Sequence, residues 1–399
     1  MTESLTRAGF CLQGGTPLST GYIQRRNLLL TPPQRARTAL TIAFPAIATD
    51  AFTPYQGVEI KGARSRIARP SFNKLKTSIS MRRTLPLIAK IVVSVGLFYL
   101  ALRGIDLSTV LSRINQINPL WIIVAIAATF GGLLLNALRW REIGRHCDTP
   151  LTINQSLRYV MIGAFFSLAL PSTIGGDAVR LWLAARAGAG LRKAAYSVLI
   201  DRAIGLIALA LVVVGSLPWS IDLVTDPTGR IMLLVTGLVA LGGGAGFLLM
   251  GRLPWRWLTT WVVTRDIHAC AVIANRVLFH NRTSWRIAAF SAVIPVLAVS
   301  SAWGVARSIA APATFVQLFQ LLPPVLLITM IPVSIAGWGL REAAMMVAFG
   351  YAGLPQADGL VTSILFGLVI FIAGSTGGIV WVTSPEKAAK LAGPVPDSG

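Results

Sequence analysis

The sequence predicts an all-α, polytopic integral membrane protein. About six full transmembrane helices and two broken or re-entrant helix pairs are arranged as an inverted repeat. Three observations predict it. Of 399 residues, 54% are hydrophobic and only 13% are charged, a balance foreign to soluble domains and suited to a multi-spanning protein. The apolar residues gather into runs of crossing length, separated by basic loops. A polar, Pro/Gly-rich decapeptide occurs twice, as PSTIGGDAVR from Pro171 to Arg180 and as PVSIAGWGLR from Pro332 to Arg341. The copies align without a gap as Pro-x-[Ser/Thr]-Ile-x-Gly-x-x-[Val/Leu]-Arg.

Residues 1–80 stand apart. They are rich in Arg, Thr, Ser and Pro, with only Glu3, Asp50 and Glu59 as acids, and read as a basic, disordered tail. The apolar stretch from Ala39 to Ala48 is too short to cross a bilayer and holds Pro45. Met81, followed by Arg82, Arg83 and the first apolar run, is a candidate for the true start. Residues 82–383 form the transmembrane domain, and 384–399 a polar C-terminal tail.

The spans follow in order. Pro86 to Gly104 is the first, with Lys90 placed to snorkel. Pro119 to Leu138 is the second, with Trp140 expected as an interfacial anchor. Ser156 to Leu170 is short for a crossing and ends at the first decapeptide. The short run Asp177 to Ala187 follows it. Non-helical backbone of this kind is tolerated at membrane depth only inside protein or beside a water-filled cavity. Ala195 to Leu217 is a full span carrying Asp201 and Arg202, and Arg230 to Met250 is another. The basic loop from Gly251 to Ser284 is expected to hold a short interfacial helix near Trp255 to Val263. Trp285 to Ala306 spans again. Phe315 to Ile331 is short, ends at the second decapeptide, and precedes the run Arg341 to Tyr351. Leu360 to Val382 is the last span, with Gly374, Gly377 and Gly378 permitting close helix contact.

Three full spans separate the two decapeptides, so two re-entrant pairs would open to opposite faces. The loop charges agree. With both termini cytoplasmic, the inside loops hold Arg139, Arg141, Arg145, Arg186, Arg192, Lys193, Arg252, Arg256, Arg265, Arg276, Arg282, Lys387 and Lys390, while the outside loops hold little beyond Arg113 and Arg307. The same distribution accounts for the formal net charge of +21 by topology and anionic lipid rather than nucleic acid. Inverted repeats with discontinuous helices are a transporter architecture whose substrate site lies at the repeat interface.

The chemistry is that of binding rather than of a readable enzyme. Cys11, Cys147 and Cys270 form no CxxC; His146, His268 and His280 form no cluster; no GxxxxGK[ST] is present. No metal, cofactor or catalytic set is expected. Charges within a bilayer cost roughly 2.5–3.5 kcal/mol on insertion scales and mark function. Asp177, Arg180, Asp201, Arg341 and Glu342 are such charges. Gly175 and Gly176 would let a ligand approach the backbone, and the helix starting near Asp177 would offer N–H groups to an anion. Arg180 and Arg341 suit bidentate phosphate recognition, and Trp338 would stack on a ligand or seal a gate. The expected binding set is Ser172, Thr173, Gly175, Gly176, Asp177, Arg180 and Asp201 from the first copy, with Ser334, Gly337, Trp338, Arg341 and Glu342 from the second. The structural alternative is that Asp177 caps its helix and pairs with Arg180, while Arg341 pairs with Glu342 or Asp201, and Arg202 snorkels.

The strings NALRW (Asn136 to Trp140), FFSLALPSTIGGDAVR (Phe165 to Arg180), LIDRAIGL (Leu199 to Leu206) and PVSIAGWGLRE (Pro332 to Glu342) resemble the membrane domain of lysylphosphatidylglycerol synthases, in that family's order. In full-length synthases this domain is associated with flipping the aminoacylated lipid, and a separate soluble domain performs aminoacyl transfer. The resemblance implies the flippase-type half without the transferase half. It implies a bacterial inner-membrane translocator of a lipid or lipid-linked substrate, with anionic or aminoacylated phospholipid or lipid-linked sugar as partner. The alternatives are a headgroup transferase using Asp177 or Asp201 as base, and a membrane component serving a separately encoded aminoacyl- or glycosyltransferase.

Overall fold

Ten residues or more of uninterrupted apolar sequence, once inside a membrane, must satisfy their own backbone groups, and helices do so internally. The computed structural model describes residues 117–170, 175–224, 226–253, 262–280, 282–331 and 337–384, preceded by Val92, Val93, Gly96, Tyr99 and Arg113. Every regular element among them is helical: α1 Pro119–His146, α2 Ile153–Ala169, α3 Gly175–Ala184, α4 Leu191–Leu223, α5 Pro227–Met250, α6 Val262–Phe279, α7 Ser284–Ser308, α8 Phe315–Thr329, α9 Leu340–Tyr351 and α10 Gln356–Thr383. A π-helical turn, Ala185–Ala189, links α3 towards α4 and ends in left-handed glycines at Gly188 and Gly190. Five of these helices, α1, α4, α5, α7 and α10, are long and apolar enough to cross a membrane. They match five of the six expected spans. The remaining one, Pro86 to Gly104, lies almost wholly outside the described residues, as do the N-terminal tail, Met81 and the C-terminal tail.

One expectation is corrected. The second span does not stop at Leu138: α1 runs on to His146, because nothing from Arg139 to His146 breaks a helix and Glu142 pairs with Arg145 one turn on. Arg139 and Trp140 are therefore helical and deeply buried, 4% and 0% exposed, not a loop charge and an interfacial anchor. The interfacial helix expected near Trp255 to Val263 lies almost wholly outside the described residues; the described helix of the basic loop is α6, Val262–Phe279. Its buried face of Cys270, Ala271, Ala274 and Val277 has the i, i+4, i+7 spacing of an amphipathic helix packed on a bundle.

Helices α2 and α3 form a hairpin. A Cβ on Gly175 would lie 2.8 Å from Leu170, one on Gly176 would strike Ser167 and the Gly163 carbonyl, and one on Gly163 would lie 2.8 Å from Arg180 Cγ. Contacts that pair 170 with 175 and 163 with 180 require α3 to fold back along α2. Helices α8 and α9 do the same: Gly337 faces Thr329, and Leu318, Leu322, Met345 and Phe349 share one apolar core. Both short pairs fold back as hairpins.

The repeat extends beyond the decapeptides. Helix α2 is capped by Thr152, whose hydroxyl accepts from Gln155 N–H while the Gln155 side chain accepts from Thr152 N–H. Helix α8 carries the same reciprocal box between Thr314 and Gln317. Such boxes satisfy donors that a helix start otherwise leaves open. The preceding loops also correspond: Asp148 and Ala310 both hold positive φ, 52° and 53°, and Pro150 and Pro312 follow two residues later. One copy is thus α1–α4 and the other α7–α10. Packing respects this division. The pairs α1–α2, α2–α3, α3–α4 and α1–α4 recur as α7–α8, α8–α9, α9–α10 and α7–α10; across the copies, α2–α10 matches α8–α4 and α1–α10 matches α7–α4.

The corresponding helices α1 and α7 lie antiparallel. The Asn118 N–H donates to the Ser308 carbonyl at 2.8 Å, the Thr129 and Ser301 hydroxyls are 2.9 Å apart, and His146 Nε2 is 3.1 Å from Thr283 Oγ1. The two copies consequently run in opposite directions, and the repeat is inverted.

Candidate functional site

Three helices converge on one cluster of charge. Helix α1 brings Asn136 and Arg139, which share a face at i, i+3; α3 brings Asp177 and Arg180 at the same spacing; α4 brings Asp201, Arg202 and Gly205. The Asp201 carboxylate is clamped from two sides, by Arg139 Nε at 2.9 Å and by an Arg180 terminal nitrogen at 3.0 Å. Its side chain is 1% exposed. Arg180 also reaches Asp177 at 3.4 Å, and Arg202 donates to the other Asp177 oxygen. The Arg180 guanidinium lies 4.3 Å over the Trp140 ring, and the Trp140 indole N–H donates to Ser197 at 3.3 Å. Gly205, one turn after Asp201, leaves space for the Arg139 guanidinium, which would lie 3.2 Å from a Cβ there.

Three guanidiniums thus face two carboxylates, and one positive charge is left over. A buried charge is tolerated when it is paired and hydrogen-bonded, and the surplus here borders a cavity of about 220 Å³. Arg139, Arg180, Asp201 and Arg202 line it from the first copy. Ser291 and Pro295 of α7, Leu326 of α8 and Met330 at the α8 C-cap close it from the second. Three polar atoms on its walls have no hydrogen-bond partner: Arg180 Nε, Asn136 Oδ1 and Ser291 Oγ. Buried polar atoms are nearly always satisfied, so these point to a ligand that accepts from Arg180 and can also donate. The site sits at the interface of the two inverted copies.

The second decapeptide is built differently. Arg341 donates to Glu342 at 2.7 Å and to Ser363 at 3.1 Å, and Ser363 donates to Glu342. The second Glu342 oxygen accepts from Gly339 N–H at 2.6 Å. Its helix starts later than α3 because Gly337 and Gly339 sit at φ 82° and 83°, a region open to glycine at little cost. Trp338 is half-buried, with its ring 5.3 Å from the Arg341 guanidinium. Arg341 and Glu342 cancel, and none of Gly337, Trp338, Arg341 or Glu342 reaches the cavity.

Of the expected binding residues, then, Asp177, Arg180 and Asp201 are brought together, with Arg180 and Asp201 on the cavity wall. The second-copy residues gather at a separate, self-neutralised centre. Gly176 serves the α2–α3 contact rather than ligand approach, since Ser167 and Gly163 occupy the space beside it. Ser172, Thr173 and Ser334 lie outside the described residues. Sequence reasoning missed Arg139, Asn136 and Ser291 and assigned Arg202 to the interface. The signal for Arg139 was its place three residues after Asn136 on an otherwise apolar face.

A family described as Lysylphosphatidylglycerol synthase TM region matches residues 87–378, a range holding both inverted copies and the cavity between them. No curated protein matches the chain. With most of its length inside that match and its helices built for crossing a bilayer, the chain belongs to the lysylphosphatidylglycerol synthase TM region family of multi-pass membrane proteins.

Proposed function

We propose that the protein translocates a lipid, or a lipid-linked molecule, whose headgroup carries a phosphate, and that the arginine-lined cavity between the copies binds that headgroup. Family membership supports a role in lipid metabolism or translocation. The observation that carries the reading is the surplus positive charge on a buried wall where Arg180 Nε, Asn136 Oδ1 and Ser291 Oγ lack partners. A phosphate accepts from Arg180, and a hydroxyl or ammonium of the headgroup donates to Asn136 and Ser291. Inverted repeats supply two related conformations, so rocking one copy against the other would expose the headgroup to either face. The loop charges support a bacterial inner-membrane setting with both termini cytoplasmic.

The test is reconstitution into liposomes containing fluorescent phosphatidylglycerol or its aminoacylated form, with outer-leaflet quenching as readout. Wild-type protein should accelerate exchange between leaflets. Ser291→Ala and Asn136→Ala, which break no bond in the fold, should slow it severalfold without lowering the melting temperature. Exchange no faster than in protein-free liposomes for every lipid tried would sink the reading.

A further inference from the structure

The cavity lies along one seam of the bundle. It is lined on α4 from Asp201 to Leu209 and on α8 from Leu326 to its C-cap Met330. Further along the same two antiparallel helices lies a second, apolar groove of about 340 Å³, lined by α4 from Leu211 to Trp219 and by α8 from Val316 to Gln320. Asp201 and Trp219 are 18 positions apart, about 27 Å of helix. That is long enough for one lipid, which occupies half of a bilayer, about 20 Å with its headgroup region. Charge lies at one end of the seam and only Ser216 and Gln320 interrupt the apolar lining at the other.

The symmetry-related seam, α2 against α10, is shut. A Cβ on Gly374 would strike Leu168, one on Gly377 would strike the Met161 carbonyl, and one on Gly378 would lie 2.8 Å from Phe165. These glycines let the two helices touch. At the 161-residue offset of the decapeptides, their places on α4 are taken by Val213, Ser216 and Leu217. The bulkier set lacks the small residues that let α2 and α10 touch, and Gly215 leaves open space, with no atom within 4 Å of a built Cβ.

We propose that the α4–α8 seam is the lateral entrance of the site, and that its apolar groove holds an acyl chain of the lipid whose phosphate sits among Arg139, Arg180 and Arg202. This rests on the translocator reading of the cavity. The occupant is argued from alignment: the groove lies on the same two helices as an anion-attracting cavity, and a molecule reaching from one to the other has an anionic head and a hydrocarbon tail. The chain runs from the headgroup towards the C-terminal half of α4, so the lipid is held in the orientation of the leaflet next to the α4 N-terminus.

The experiment uses full-length protein in phosphatidylcholine nanodiscs with a low fraction of phosphatidylglycerol bearing a photoactivatable acyl chain. Labelled peptides are mapped by mass spectrometry. Labelling should concentrate on residues 211–219 and 316–320 over the α2–α10 face. Unlabelled phosphatidylglycerol should compete with it, and Gly215→Leu should reduce it severalfold without lowering the melting temperature. Equal labelling of the two faces, or labelling that Gly215→Leu leaves unchanged, overturns the proposal. The two readings separate cleanly: groove labelling without leaflet exchange retains the groove and removes translocation, while exchange with labelling elsewhere retains translocation and removes the groove.

Discussion

Asp201 is the residue on which the charged cluster turns. Its carboxylate answers two buried arginines at once, and breaking a buried pair by removing one partner costs about 3–5 kcal/mol. Asp201→Asn should therefore lower the melting temperature in detergent far more than Asp177→Asn, because Asp177 holds Arg202, whose side chain is 42% exposed. Equal effects would mean that water already reaches Asp201. The importance of Asp201 was legible in the sequence, since an acid in a long apolar run needs a partner. Which partner was not: Arg139 lies 62 residues away, and only the fold brings it near. Cys147 and Cys270, outside the spans, test burial from another side. Removal from water is the main cause that pushes both thiols up to about 12. The folded protein therefore keeps these protons where an unfolded chain would lose them. Stability from this source is complete below the ordinary thiol range near 8.5 and falls as pH rises from there towards 12. With Cys11 replaced by Ser, maleimide at pH 8 should modify neither thiol in native protein and both after denaturation, read by intact mass.

At the scale of elements, the long helices were readable because about 20 apolar residues can do little else in a bilayer. Their ends moved by a few residues or, for α1, by two turns, since no breaker marks the point where apolar sequence gives way to charge. The hairpins were legible from their length, and the Pro/Gly decapeptides explained where they turn. Their starts carried a further signal in the two Thr-x-x-Gln boxes, which the composition of the loops obscured. Losing an N-cap hydroxyl costs about 1 kcal/mol, so Thr152→Ala and Thr314→Ala should each lower stability by that order. The two sites lie in different copies and share no hydrogen-bond partner, so the double variant should lose the sum to within about 0.5 kcal/mol. Denaturant melts of the four proteins check this, and a double variant no worse than either single one would show that the two hairpins are not independent. The glycines of α10 were read correctly as a packing surface. Their larger counterparts on α4 at the decapeptide offset were also readable; what one sequence strip cannot display is which helix each set packs against.

At the scale of the whole molecule, ten aligned residues, four of them identical, foretold an inverted repeat, and the antiparallel contact of α1 with α7 realises it. That contact pairs each helix with its own counterpart, so the relation between the copies passes through it. The two halves are alike in backbone and unlike in charge: the first copy carries a surplus arginine beside a cavity, and the second neutralises Arg341 with Glu342. Among the described residues, one polar cavity is flanked by both copies, while the described charges of the second decapeptide close on each other. The residue types at positions 177 and 338, Asp against Trp, already held this difference. Inversion itself has a direct consequence for topology. Pro150 and Pro312 are corresponding, exposed loop residues, one after α1 and the other after α7. Because α1 and α7 are antiparallel and both span, these loops emerge on opposite faces. In a cysteine-free background, Pro150→Cys and Pro312→Cys should be labelled by a membrane-impermeant thiol reagent from opposite sides of sealed vesicles. The proposed orientation, with both termini cytoplasmic, would put Pro150 on the cytoplasmic side and Pro312 outside. Labelling of both from one side would break the inverted arrangement, and with it the geometric basis for presenting a single headgroup site to two faces in turn.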